Sequence, residues 1–422
     1  MVTGMALHLE EFKGLDRKVY LAVLVAALGY FVDIYDLLLF SIVRVQSLEA
    51  LGYSGAELLD KGIFLINVQM AGLLVGGVTW GILGDKRGRL SVLFGSIVMY
   101  SAANLLNAFV QNVEQYAALR FIAGIGLAGE LGAGITLISE ILPTRVRGFG
   151  TTIVAAVGIM GAVFGAIIGD AFNWRIAYVI GGVMGFLILL LRVGVTESGL
   201  FEKTKSEAVS RGNFFMLFRT RDRAFRFLNC IVIGIPIWFV IGILFTFAPE
   251  FGQAMQMSEI PTGGKAVMFG YIGISLGDLT SGLLSQYLRS RKKAVLAFII
   301  ITIIGVAAHL SIAHDSALSF YGTCLVMGLG AGYWAMFVQI AAEQFGTNIR
   351  STVTTSVPNF VRGAVIPLTE GFKYMVPALG VIQSSIVVGG VSFALALASL
   401  FALKETFHLE LNYNEHDDPS GR

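Results

Sequence analysis

Twelve runs of apolar residues, each close to the roughly 20 residues that carry an α-helix across the hydrocarbon of a bilayer, divide this chain. They fall at about 19–43, 62–84, 91–110, 116–141, 150–170, 176–195, 225–249, 264–288, 294–313, 317–342, 353–376 and 380–403. One sizeable polar segment, Glu197 to Arg223, is rich in Lys, Arg, Ser and Glu and separates the runs into two sets of six. Inside a bilayer every backbone N–H and C=O needs an internal partner, which leaves helices or closed barrels. Runs of this length demand helices. The expected fold class is an all-α polytopic membrane protein with twelve transmembrane helices in two six-helix bundles. Composition agrees, with 55% hydrophobic and 14% charged residues, where a soluble domain has about 25% charged.

Positive charge assigns the sides. Lys13, Arg17 and Lys18 precede span 1, Lys86, Arg87 and Arg89 follow span 2, and Arg145 and Arg147 follow span 4. The polar linker is basic, and Arg289, Arg291, Lys292 and Lys293 follow span 8. All of these connections share one side if the spans alternate, so both termini and the linker are expected in the cytoplasm, with the chain multi-pass in the inner membrane of a cell. The domain reading is an N-terminal bundle over 1–196, a linker over 197–223, a C-terminal bundle over 224–404 and a tail over 405–422. A net charge of +2, spread over short clusters, does not point to nucleic acid. Cys230 and Cys324 sit within apolar runs and read as packing residues. No His/Cys/Asp/Glu spacing suggests a metal, and no phosphate loop or Ser/His/Asp set suggests an enzyme. The expected partners are a small-molecule substrate and the lipid bilayer around a monomer.

The two sets of spans are related. Glu140, Arg147 and Thr151-Thr152 are answered in the same order and spacing by Glu343, Arg350 and Thr354-Thr355. After span 2 stands Gly81-Ile82-Leu83-Gly84-Asp85-Lys86-Arg87-Gly88-Arg89, and after span 8 a degraded copy, Gly282-Leu283-Leu284-Ser285-Gln286-Tyr287-Leu288-Arg289-Ser290-Arg291. Arg120 with Gly124 and Gly126, Glu140 with Pro143, Arg147-Gly148, Trp174-Arg175 and Glu197-Ser198 complete a set of motifs that resembles the major facilitator superfamily over essentially the whole chain. Asp33-Ile34-Tyr35-Asp36-Leu37 in span 1, with Glu130 after Ala128-Gly129, is similar to the phosphate:proton, metabolite:proton and sugar:proton symporter branches. The resemblance implies two pseudo-symmetric bundles rocking about a central site. It also implies a cytoplasmic gate made of Asp85, Arg89, Glu140 and Arg147, with Glu343 and Arg350 as the repeated pair.

Ionisable side chains at bilayer depth are functional candidates by default. Asp33 and Asp36 are three residues apart on one helical face, where two carboxylates repel if both ionise. Arg120 on span 4 falls at a depth where it meets Asp36. Together with Glu130, near the middle of span 4, they are the proton-coupling candidates; the competing reading is a static ion pair joining spans 1 and 4. Arg362 lies near the centre of span 11 between Pro358 and Pro367, with Asn359 beside it. It keeps its charge and needs an anion, which is Asp278 of span 8, Glu370 or the substrate. Tyr333, Trp334 and Gln339 on span 10 and Trp238 on span 7 are candidates to line the same cavity, although packing is the ordinary role of such aromatics. Gly158, Gly161, Gly165 and Gly169 form one face of span 5, either for tight packing or as a surface on which the halves slide. His309 and His314 read as lipid-interface or loop histidines.

The expected function is a proton-coupled symporter that moves a small anionic metabolite, such as an organic acid or phosphate, with the proton as coupling ion and no other cofactor. Two alternatives stand beside it. One is a proton-driven efflux antiporter for a lipophilic or cationic compound, with Glu130 and Asp278 attracting the cation. The other is a non-transporting sensor on the same fold.

Overall fold

The computed structural model describes residues 17–87, 89–130, 132, 134, 142, 144–192, 214–313 and 316–407. In the first half, helices α1 (Arg17–Ala50), α2 (Ala56–Arg87), α3 (Arg89–Asn107), α4 (Val113–Leu127), α5 (Thr144–Ala171) and α6 (Trp174–Arg192) follow one another. The second half opens with α7 (Arg221–Val232), α8 (Ile235–Phe239), a π-helical turn at Val240–Phe245 and α9 (Ala248–Ala254), which together make one interrupted crossing. It continues with α10 (Gly263–Leu288), α11 (Arg291–Ile312), α12 (Ala317–Ala331), α13 (Trp334–Glu343), α14 (Thr347–Gly363) and α15 (Val365–Ala402).

Nine stretches among the described residues are long and apolar enough to cross a membrane. The last, Thr352–Ala402, far exceeds the roughly 20 residues one crossing needs. It reverses at Gly380, whose φ of 80° lies in the left-handed region that glycine enters without strain. With that reversal, the shorter apolar helix Ser91–Asn107 and α4, the twelve crossings of an all-α membrane fold are present. Leu190, Leu318, Ile304 and Phe401 are among many large apolar side chains turned outward, as they should be when lipid is the solvent.

Prolines explain where the crossings break. A proline cannot donate to the carbonyl four residues earlier and its ring crowds that carbonyl. Counting back four residues from Pro236 gives Val232, the last residue of α7; from Pro249, Phe245, the end of the π turn; and from Pro367, Gly363, the end of α14. Pro358, by contrast, is carried inside α14. The α12–α13 break has a packing cause: Gly332 lies so close to Gly277 of α10 that a Cβ on it would sit 2.4 Å from the Gly277 Cα. Elsewhere the ends are capped by side chains, with Asn112, Thr220, Thr262, Ser290 and Ser316 accepting from the backbone of α4, α7, α10, α11 and α12.

The halves meet along α5 against α10 and along α2 against α14 and α15. The glycine face of α5 is not part of that contact. Gly158 and Gly161 press on Tyr30 and on the Phe31 carbonyl, and Gly165 and Gly169 face Tyr35 and Ile42, so the stripe seats α5 on α1 within the first half. Of the two readings, close packing is the one the structure carries. His309 also departs from expectation: it is fully buried between Phe320 and Phe251, with its Nδ1 2.8 Å from the Thr323 hydroxyl. His314 lies outside the described residues.

At the end of the molecule that carries the basic connections, here the basic end, Glu405 accepts from the backbone N–H groups of Arg291 (2.9 Å), Lys292 (3.3 Å) and Phe407 (3.1 Å) and from the Ser290 hydroxyl. Partial burial pushes its carboxyl up, but these donors outweigh it and hold the group below the usual glutamate range.

Candidate functional site

Six ionisable side chains at bilayer depth, Asp33, Asp36, Arg120, Glu130, Arg192 and Arg362, are at most 2% exposed. Glu130 forms an ion pair with Arg192, the last residue of α6. The Arg192 Nη1 donates to Glu130 Oε2 at 3.1 Å and to the Leu93 carbonyl at 2.8 Å. Gly29 of α1 faces this pair so closely that any Cβ there would overlap both side chains. Arg120 donates to the Gln69 side chain, whose amide nitrogen is 3.3 Å from the Leu37 carbonyl, and its guanidinium lies 5.5 Å from the Phe40 ring centre and 6.0 Å from that of Tyr178.

Asp36 is set against Gly181 of α6, and Asn104 and Arg120 lie within its electrostatic reach. Among the described residues no ion pair joins Asp36 to Arg120, which donates through Nη2 to Gln69 and keeps Nε and Nη1 without a hydrogen-bond partner. Among the described residues neither oxygen of Asp33 has a hydrogen-bond partner, and Asp36 has only the Asn104 side chain beside it. Asp33 lies within electrostatic reach of Arg362 and of the Glu130–Arg192 pair.

Between the halves is a narrow cavity of about 30 Å³, far below the roughly 300–1,000 Å³ of open ligand pockets, so a substrate fits here only once the halves move apart. Tyr30 comes from α1, Trp238 from α8, Tyr271 and Asp278 from α10, Trp334 from α13 and Arg362 from α14, with isoleucines filling the gaps. The Arg362 guanidinium lies 5.5 Å from the centre of the Trp334 ring, and Trp334 meets Trp238 edge to face at 6.4 Å. Arg362 Nε and Nη1 are buried without a hydrogen-bond partner among the described residues. Neither acid foreseen for it is within ion-pair distance. Glu370 accepts from Asn67 of α2 at 2.7 Å, and Asp278 Oδ1 accepts from the Ala335 N–H at 3.1 Å, at the start of α13.

Three other candidates are placed away from the cavity. The Tyr333 hydroxyl donates to the Ile233 carbonyl at 3.0 Å, filling the break between α7 and α8. Gln339 donates to Glu343 at 2.9 Å near the basic end. Asn359 donates across the halves to the Ala128 carbonyl at 3.1 Å.

The major facilitator superfamily family model matches residues 20–369. The chain belongs to the major facilitator superfamily. A gentisate transporter of Corynebacterium glutamicum is 23% identical over 93% of this chain and 90% of its own length. A 4-hydroxybenzoate transporter, PcaK, of Pseudomonas putida is 29% identical over 47% of this chain and 45% of its own length. Among solved structures, a D-xylose-proton symporter matches with a TM-score of 0.72 at 16% identity, covering 92% of this chain and 99% of that one. That likeness is one of fold. This superfamily member is a multi-pass secondary transporter of small molecules and not an enzyme.

The superfamily's repeated basic-end motif is visible in the second half. Arg291 pairs with Glu343 at 3.3 Å and donates to the Ser285 hydroxyl at 3.0 Å, and Thr406 donates to Glu343 at 2.6 Å. Arg350 does not join that pair; it donates to the Ala342 and Phe345 carbonyls at 2.9 and 3.2 Å, closing the end of α13. In the first half, Glu140 and the side chains of Asp85, Arg89 and Arg147 lie outside the described residues.

Several residues of this transporter were not foreseen as site members. Arg192 and Gln69, which hold Glu130 and Arg120, are among them, as are Tyr30 and Tyr271 in the cavity wall. So is Arg44, which donates to both oxygens of Glu250 at 2.6 Å across the halves. Arg192 ends the apolar run Leu187–Leu191, as an ordinary membrane-anchoring cation also would. Gln69 and the tyrosines carried no signal that sets them apart from packing residues.

Proposed function

We propose that this chain is a proton-coupled symporter that takes up a small aromatic monocarboxylate by alternating access. The observation that carries the reading is Arg362: a buried, permanently charged guanidinium, with no acid paired to it among the described residues, facing a cavity walled by Trp238, Trp334, Tyr30 and Tyr271. A carboxylate matches a guanidinium fork, and a flat ring matches aromatic walls. Gentisate and 4-hydroxybenzoate, carried by two relatives, are molecules of this kind. Asp33 and Asp36, buried and in no ion pair among the described residues, are the proton carriers, and Asp33 sits where a bound anion on Arg362 is felt. Glu130 is neutralised by Arg192, which weakens the alternative of a cation-binding antiporter and makes the pair a supporting element of the proton path. The protein works as a monomer in the inner membrane, with both termini and the linker in the cytoplasm and the two bundles divided at 197–223.

Proteoliposomes with an imposed inside-alkaline pH gradient test the proposal. They are expected to accumulate 4-hydroxybenzoate or gentisate above the level reached without a gradient. Arg362→Ala should weaken apparent affinity by at least ~30-fold, the cost of leaving a buried anion without its cation. Failure of the gradient to drive accumulation of either acid would overturn proton symport, and unchanged affinity in Arg362→Ala would overturn the carboxylate site.

A further inference from the structure

The geometry points to Asp278 as the residue that selects among aromatic acids, by accepting a hydrogen bond from a hydroxyl or amino group on the part of the ring remote from the carboxylate. This rests on reading Arg362 as the carboxylate anchor. Asp278 lines the same cavity as Arg362, and no ion pair joins the two or joins Asp278 to any other cation among the described residues. Its Oδ1 is engaged by the Ala335 N–H at 3.1 Å, which fixes the side chain at the start of α13. The α12–α13 break, caused by the close approach of Gly332 to α10, is what frees that N–H to hold Asp278.

A carboxylate only accepts, and its two oxygens offer about four lone-pair sites. The N–H groups of Trp334 and Ala335 at the start of α13 take two of them. The cavity therefore joins a guanidinium with unused N–H groups, a set of aromatic walls and an acceptor with unused lone pairs. Its complement is anionic at one point, flat between, and a hydrogen-bond donor at another. An unsubstituted ring leaves Asp278 with the α13 N–H groups alone, and an ether oxygen at the same place would set acceptor against acceptor. A hydrogen bond to a charged acceptor favours a ring that carries the donor over a bare ring by about tenfold, and over one that carries an ether oxygen by more.

The experiment is uptake of labelled benzoate by proteoliposomes holding the full chain, with 4-hydroxybenzoate, 4-aminobenzoate and 4-methoxybenzoate as competitors at one pH. For the wild type, the hydroxy and amino acids should compete at least ~10-fold better than the methoxy acid. Asp278→Asn keeps an oxygen for the Ala335 N–H while presenting amide donors to the cavity, so the preference among the competitors should vanish or invert toward the methoxy acid. A wild type that takes all three competitors alike, or an Asp278→Asn protein that transports benzoate with the wild-type preference, overturns the assignment. If Asp278→Asn fails to transport benzoate at all, the wild-type ratio alone decides. A wild type that binds no benzoate derivative refutes the carboxylate site itself, a different failure from loss of the donor preference.

Discussion

A buried arginine keeps its charge, so each of the four that are almost wholly buried here must be answered within the protein or by a ligand. Arg44 is answered by Glu250 and Arg192 by Glu130, while Arg120 has the neutral Gln69 and the Phe40 and Tyr178 rings but no described acid. Arg362 has the Trp334 ring and no described acid. The charges themselves were legible in the sequence, because an ionisable residue inside an apolar run stands out. Their partners were not, since Gln69 is neutral and Arg192 sits at a helix end 62 positions from Glu130. Neither feature differs in one sequence from ordinary solubilising or anchoring residues. The Glu130–Arg192 pair makes a testable demand. Arg192→Gln strands Glu130 in the interior and should cost about 3–5 kcal/mol, read as a lowered Tm of the detergent-solubilised protein. Adding Glu130→Gln to it should return a substantial part of that loss. If the double variant is as unstable as Arg192→Gln alone, the two side chains are not energetically coupled.

The interruptions in the crossings follow a rule that can be read from sequence, and the functional face of a glycine stripe does not. Pro236, Pro249 and Pro367 each end a helical segment four residues earlier, because the missing N–H and the ring both act on that carbonyl. The segment after Pro367's break begins just beyond Arg362, which is how a broken crossing comes to hold the candidate anchor. Spacing placed Gly158, Gly161, Gly165 and Gly169 on one face of α5, yet only the assembled bundle says which helix they touch. At Gly161 a Cβ would sit 2.0 Å from the Phe31 carbonyl oxygen, a backbone atom that moves only if α1 moves. At Gly165 the nearest atoms are side-chain carbons of Ile42 and Tyr35 at 3.3 Å, which can shift by a few tenths of an ångström. Gly161→Ala should therefore separate α1 from α5 and lower Tm and transport together, while Gly165→Ala should leave both near wild type. Equal tolerance of the two substitutions would show that α1 and α5 are not held by this contact.

Alternating access requires the contacts that close one end of the molecule to break when the site opens there, and at the end opposite the basic connections the described contacts between halves include several polar ones. Arg44 of α1 donates to Glu250 of α9 at 2.6 Å and lies 4.6 Å from the Phe247 ring centre. Asn67 of α2 bonds both Thr369 and Glu370 of α15 at 2.7 Å, and Asp60 of α2 pairs with Lys373 of α15. The last pair is 41–45% exposed and contributes little. The buried Arg44–Glu250 pair is the strongest candidate latch. Glu250→Gln leaves Arg44 desolvated without an anion while the end is closed, whereas opening would hydrate it, so the equilibrium should move toward the open end. A cysteine at Ile34, which lines the central cavity, reports this through its labelling rate with a membrane-impermeant thiol reagent added on that side; the native Cys230 and Cys324 are fully buried. Losing a buried charge partner is worth 2–5 kcal/mol, so labelling should rise at least ~10-fold in Glu250→Gln. The exchanged pair Arg44→Glu with Glu250→Arg should bring it back toward the wild-type rate, because attraction across the halves is restored with the signs reversed. Labelling that stays at the wild-type rate in Glu250→Gln would mean that closure of this end rests on apolar packing and that the ion pair only rides on it.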